Sequence, residues 1–165
     1  MELIHKYPNK KNYMSDVRFG IQSETKTLKK IRMALEDETI KKYSHNYSVL
    51  DFHSTKNKTI CEVKGRRNKK NAYPTTMVGL NKIKEAKIKK ENGFDIFFFF
   101  DFKDGLYYFS MEDWETIESH KYYQCREGGT YRRGVAEIKM YCYIPVSLLK
   151  KVDAEVIHYI KTEME

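Results

Sequence analysis

Asp51, Glu62 and Lys64 are the residues whose types and spacing could do chemistry together. They lie in the stretch Tyr47 to Lys64. It holds two short apolar runs, Val49-Leu50-Asp51-Phe52 and Thr59-Ile60-Cys61-Glu62-Val63-Lys64, around a polar Ser54-Thr55-Lys56-Asn57-Lys58. Two such runs joined by turn-prone residues predict a β-hairpin. Pairing about Lys56-Asn57 puts Asp51 opposite Glu62, and the two-residue period of a strand puts Lys64 on the face of Glu62. Two carboxylates, about 4.5–5.5 Å apart at Cβ in such a pair, then converge with an ammonium on one patch of sheet. Hydrophobic packing does not need that arrangement. A divalent cation held by oxygen ligands, beside a lysine that activates water, does. The competing reading is a cross-strand salt-bridge group on an exposed face, worth ~1 kcal/mol or less. Val49, Ile60 and Val63 place the strand near a core instead, where unneeded charges are costly. His53 shares the face of Asp51 and could approach the same centre, although a lone histidine is more often structural or solvated. Cys61 points to the opposite face and reads as core.

The elements that must hold this hairpin follow from periodicity. Ile21 to Glu38 predicts a helix with Ser23 as N-cap and Leu28, Ile31, Ala34 and Leu35 on one face. Glu24 falls in its first turn, where a carboxylate complements the helix dipole; a role beside a metal is the alternative. Met1 to Phe19 reads as an irregular lead-in or a short helix. After the hairpin comes the basic connection Gly65-Arg66-Arg67-Asn68-Lys69-Lys70-Asn71, then Tyr73-Pro74-Thr75-Thr76. A helix from about Met77 to Glu91 follows, capped by Thr75 or Thr76, with free N–H groups that could meet phosphate. Asn92-Gly93 stops it. Phe94 to Phe102 is a nearly unbroken apolar run, which predicts a strand buried on both faces. Asp104-Gly105 turns into Leu106 to Ser110, closing a second hairpin. Ser110 to Ile117 reads as a short helix carrying Trp114, and Arg126 to Arg133 as a Gly/Arg-rich loop. Val135 to Ile144 alternates like a last strand, Pro145 ends it, and Val146 to Lys161 predicts terminal helical segments. The sum is one α/β domain over residues 1–165, with a core at about 21–110 and a C-terminal strand and helices at 135–162.

Length and charge bound the partners. The chain has 165 residues, 41% hydrophobic and 14% aromatic, enough for one buried core. The longest apolar run, Ile96 to Phe100, is far too short to span a bilayer, and no signal peptide opens the chain. Three widely spaced cysteines, Cys61, Cys125 and Cys142, have no metal-site spacing and suit a reduced, intracellular protein. The net charge is +8, yet Lys56 to Lys90 alone holds twelve Lys/Arg against two acids, leaving the rest of the chain slightly acidic. A clustered excess favours a polyanionic partner; a lysine-rich face serving solubility is the bland alternative.

Asp51, a ten-residue gap and Glu62-Val63-Lys64 match the D-x(n)-E-x-K signature of the PD-(D/E)XK nuclease superfamily, to which Holliday-junction resolvases and many restriction endonucleases belong. The order of elements over roughly Ile21 to Phe102 resembles that superfamily's restriction-endonuclease-like core, a mixed β-sheet flanked by helices in the order αβββαβ. One of its strands is missing from this reading, or forms around Lys42 to Ser48. The resemblance implies that Asp51, Glu62 and the Val63 carbonyl bind Mg²⁺ or Mn²⁺, and that Lys64 orients or deprotonates the attacking water. It also implies that Glu24 is the extra acidic residue of the site. Leu50 stands where the namesake proline would be, a variable position in the superfamily.

The expected activity is phosphodiester hydrolysis in nucleic acid, DNA ahead of RNA, by a metal-dependent endonuclease. Arg66, Arg67, Lys69 and Lys70 would grip the backbone beside the scissile phosphate, or form an ordinary solvated loop. Tyr73, Thr75 and Thr76 could contact phosphate or a base, or serve as turn and cap residues, and Lys82 is a further phosphate candidate. Arg126, Tyr131, Arg132 and Arg133 form a second basic–aromatic cluster suited to strand binding. A homodimer fits the resemblance, and a membrane partner does not. A compact lone nuclease also suits a virus or phage. Two other readings stay open: a non-catalytic nucleic-acid-binding or assembly module on this scaffold, and a cap-snatching-type RNA endonuclease.

Overall fold

The computed structural model describes residues 10–43, 49–132 and 135–152. Helix α1 (Lys10–Ala34) starts earlier and ends sooner than the periodicity predicts. Ser23 is therefore not a cap. It is buried mid-helix, where its carbonyl accepts a hydrogen bond from Thr27 Oγ1 at 2.6 Å. Glu24 loses its first-turn position for the same reason, and the dipole argument for it falls. The helix stops in a left-handed exit: Asp37 N–H reaches the Arg32 carbonyl at 3.0 Å and Glu36 N–H that of Met33 at 3.2 Å, with Glu36 at φ 51°.

The hairpin folds in the register expected. Strands β1 (Lys41–Lys42), β2 (Phe52–His53) and β3 (Thr59–Gly65) pair antiparallel in that order, with Phe52 opposite Cys61 and His53 opposite Ile60. The first arm is much shorter than the apolar run implied, because residues 49–51 bend away from the ladder. The hairpin turn is tied to the end of α1 through Asp37, which is 1% exposed. Its Oδ1 accepts from Thr39 N–H at 2.9 Å and from the Thr39 hydroxyl, and its Oδ2 accepts from Ser54 Oγ and Asn57 Nδ2.

The next segment corrects the sequence reading. Thr75 and Thr76 do not cap a helix but open strand β4 (Thr75–Gly79), and helix α2 (Leu80–Glu91) begins only after it, with Gly79 at its N-cap. Thr76 and Val78 point inward while Thr75 and Met77 do not, the alternation of a strand with one buried face. The strand the αβββαβ pattern lacked is β1 at Lys41–Lys42, at the start of the stretch expected for it, and β4 is an addition that belongs to a second sheet. The later elements are β5 (Asp95–Phe102), β6 (Gly105–Ser110), α3 (Trp114–Glu118), β7 (Gln124–Arg132), β8 (Val135–Pro145) and β9 (Lys150–Lys151). The expected loop at Arg126 to Arg133 is thus mostly strand β7. The expected helix at Val146 starts instead as a single 3₁₀ turn leading into β9; residues 153–161 of it lie outside the described residues.

The main sheet runs β1-β2-β3-β5-β6-β9, with β3 and β5 parallel and the other neighbours antiparallel, and a second sheet runs β4-β8-β7. This is an α/β fold with a mixed sheet, compatible with a restriction-endonuclease-like core. Strand β5 is buried on both faces, as its unbroken run predicted. Phe97 and Phe99 join Cys61, Val63, the α1 residues Ile31 and Ala34, and Leu35 just after the helix, in one cluster. Ile96, Phe98 and Phe100 join Leu50, Ile60, Ile83 and Ala86 of α2, and Val78, Cys142 and Ile144 of the second sheet, in the other. Cys61, Cys125 and Cys142 are free thiols.

Two positions give stability predictions. Burial alone would raise the Asp37 pKa, but the hydrogen bonds from Ser54, Thr39 and Asn57 outweigh it and hold the group at about 2, against 3.8 for an ordinary aspartate. A depressed folded-state pKa contributes stability above pH 3.8 that is lost as pH falls toward 2. Asp37→Asn should cost about 2 kcal/mol at neutral pH and flatten that acid limb, read by urea unfolding across pH. At Gly65, an added Cβ would lie 2.4 Å from Ser23 Oγ and 3.0 Å from Phe19 Cε1. Gly65→Ala should push α1 off the sheet and lower stability by roughly 1–3 kcal/mol, measured as a drop in Tm.

Candidate active site

Glu62 sits in the middle of β3 on the face opposite α1, and its side chain is 0% exposed. Lys64, two residues on, shares that face and brings Nζ to 3.0 Å from Glu62 Oε1. Lys82, from the first turn of α2, brings its Nζ to 3.2 Å from Oε1 and 3.4 Å from Oε2, and donates to the Val49 carbonyl. Burial raises the Glu62 pKa to about 7, with Lys64 and Lys82 opposing the rise and Asp51 adding to it. Asp51 reaches the site from the bend before β2: its Oδ2 accepts the Val63 N–H at 2.9 Å. That bond continues the hairpin register where the ladder has ended. Leu50, at the namesake proline position, is buried in the core.

An exposed salt-bridge group is therefore not what the chain builds, since its central carboxylate has no solvent contact. Glu62 Oε1 is also buried without an aligned hydrogen bond, although two ammonium groups lie within ion-pair distance. Two carboxylates that influence each other's charge, one with an oxygen lacking a directed donor, make a hard-oxygen donor set of the kind Mg²⁺ and Mn²⁺ take. Asp51 and Glu62 offer two of the oxygen ligands such an ion would need. Among the described residues no group of three His, Cys, Asp or Glu side chains converges, so further ligands would come from backbone or water.

On the α1 side of the sheet the end of β3 opens into a cavity of about 480 Å³, lined by Phe19, Gly20, Glu24, Val63, Lys64, Gly65, Arg66 and Arg67 but by neither carboxylate. Glu24 reaches it from the middle of α1, pairing with Lys42 at 3.1 Å. Lys64 thus touches both the buried carboxylate and the open cavity.

The basic run divides. The Arg66 guanidinium turns inward, donating to Thr76 Oγ1 at 2.9 Å, to the Gly65 carbonyl at 3.2 Å and to the Met77 carbonyl; burial lowers its pKa to about 10. It ties the two sheets together, and Thr76 is buried beneath it. Arg67 is exposed and stacks on Phe19, 4.5 Å from the ring centre. Lys69 is exposed, Lys70 lies over Tyr107, Tyr73 is exposed and Thr75 half-buried. Arg132 ends β7, and Arg133 lies outside the described residues. His53 stacks on Tyr43, and burial lowers its pKa.

Sequence reasoning placed Lys82 at a phosphate and missed its grip on Glu62. The signal was present in the spacing, because Lys82 precedes buried Ala86 by one helical period and adjoins buried Ile83. The Asp37–Ser54 lock was also missed; only the short Asp37-Glu38-Thr39 turn pattern hinted at it.

No curated protein and no solved structure shows a significant match to the chain. Residues 14–152, spanning α1 through β9 and every residue of the site, match the family described as "Phage putative PDDEXK endonuclease". With most of its length matched, and Asp51, Glu62 and Lys64 gathered at one end of a mixed sheet, the chain belongs to that PDDEXK endonuclease family.

Proposed function

We propose that the protein is a metal-dependent endonuclease that hydrolyses phosphodiester bonds in DNA in preference to RNA. The observation that carries the reading is the fully buried Glu62 carboxylate, with Lys64 at 3.0 Å and Asp51 anchored to the neighbouring Val63 N–H. Burying a carboxylic acid that must ionise has a desolvation cost, visible in its raised pKa, that a structural role does not require. Asp51, Glu62 and the Val63 carbonyl would hold Mg²⁺ or Mn²⁺, and the ion would polarise the phosphodiester and make bound water acidic enough to attack. Lys64, which borders both the carboxylate and the cavity, would orient that water toward phosphorus. As the new phosphorus–oxygen bond forms, the water would give a proton to bulk solvent, and the bond to the leaving oxygen would break with that oxygen taking a proton from solvent. Glu24, across the cavity, holds further water in the site. Arg67 with Lys69 and Lys70 supplies positive charge for the phosphate backbone, and Tyr73 offers an exposed ring for a base. Arg66 acts from inside, fixing the end of β3 against β4. The family description is of a phage endonuclease, which agrees with a compact enzyme that works inside a cell. No helix among the described residues is long and apolar enough to cross a membrane.

Supercoiled plasmid, linear duplex, a four-way junction and single-stranded RNA distinguish the readings. Plasmid should be nicked or linearised with Mg²⁺ or Mn²⁺ and left intact with chelator. Salt-sensitive binding without cutting of any substrate would favour a binding module, and cutting of RNA alone a cap-snatching-type enzyme. Lys64→Ala should slow cleavage about a hundredfold or more, while duplex affinity stays within about twofold. Full activity in that variant would remove Lys64 from the mechanism.

A further inference from the structure

Lys82 has a geometry that a phosphate contact does not explain. Its ammonium lies 3.2 and 3.4 Å from the two oxygens of Glu62 and donates to the Val49 carbonyl, two residues before Asp51. Lys64, by contrast, is paired with Oε1 alone and is the more exposed of the two, at 32% against 20%. A single positive charge thus straddles the one fully buried carboxylate of the site and ties it to the segment that carries the other carboxylate. The ammonium therefore occupies the Glu62 oxygens that a metal ligated by this carboxylate would need. Lys64 and Lys82 already share Oε1, and a divalent cation added beside both would raise the repulsion in this poorly solvated site.

We propose that Lys82 is an internal stand-in for the cation. It neutralises Glu62 while no metal is bound, gives way when metal takes the carboxylate, and swings on its four-carbon stem toward the phosphate backbone of the substrate. The inference rests on Asp51 and Glu62 being metal ligands, and it makes Lys82 a positioning residue that couples two binding events. Nucleic acid that captures the Lys82 ammonium uncovers Glu62 for metal, and metal that displaces the ammonium frees it for phosphate. By linkage, each ligand tightens the other by the same factor.

Calorimetric titration of the metal-free protein with Mn²⁺, without nucleic acid, tests the competition directly. Lys82→Met should bind Mn²⁺ about tenfold more tightly than the unaltered protein, since the competing ammonium is gone. In duplex binding, the tightening produced by Ca²⁺ should shrink by about the same factor in the variant. Should Lys82→Met fail to fold, Lys82→Gln keeps a donor for the Val49 carbonyl without the charge and carries the same expectation. Equal or weaker Mn²⁺ binding in the folded variant, with Glu62→Gln abolishing uptake, would overturn the role of Lys82 and leave the metal site standing. If the unaltered protein takes up no Mn²⁺, or Glu62→Gln takes up as much, the metal reading fails and the inference fails with it.

Discussion

An ionisable carboxyl group with no solvent contact dominates the arrangement of this protein. Glu62 is held between the main sheet and the layer formed by α2 and the second sheet. Removing a carboxylate from water costs several kcal/mol even after relaxation, far more than an exposed ion pair returns. The surroundings must therefore supply positive charge at close range, and they do so from two elements. Lys64 comes from the same strand, two residues away, and Lys82 comes from the helix that crosses above it. The start of α2 at Leu80 is consequential for this reason. Ending β4 at Gly79 lets the first helical turn aim Lys82 at the carboxylate while Ile83 and Ala86 enter the core.

Precision at the other carboxylate comes from farther away. Asp51 sits where β2 has already ended, so no ladder bond fixes it, and the Val63 N–H does that work instead. The hairpin register behind it is held by a turn whose Ser54 hydroxyl accepts from the Lys56 and Asn57 amides and donates to Asp37 at the end of α1. A satisfied buried network of this sort gives one geometry in place of several. A helix end on one side of the sheet thereby sets the position of a carboxylate that works with the other side.

The concentration of positive charge between Lys56 and Lys90 serves two purposes that its composition cannot separate. Arg66 and Lys82 are internal, one tying β3 to β4 and the other compensating Glu62. Arg67 and Lys69 remain exposed, and Arg67 lines the cavity. The net excess in this stretch thus overstates the charge available to a polyanion, although Arg67 remains at the end of β3 beside Lys64.

The amino-acid order by itself determined the hairpin register, because a short turn and a two-residue side-chain period leave few ways to pair Phe52 with Cys61. It also determined that β5 is central, since only a strand covered on both faces carries a run such as Phe97 to Phe100. The signature Asp51, Glu62 and Lys64 was legible on the same grounds, being local. What lay beyond local pattern was decided by tertiary structure. Thr75 to Gly79 reads equally well as a helix entry and as a strand, and only pairing with distant β8, Thr76 against Ile144 and Val78 against Cys142, selects the strand. The C-terminal end of α1 likewise follows the exit at Glu36, and Ser23, which looked like a cap, lies mid-helix. Lys82 and Arg66 read as surface cations in one dimension because solvated and buried lysines or arginines share the same letters. Which of them turns inward depends on where the fold leaves a carboxylate or a carbonyl without water.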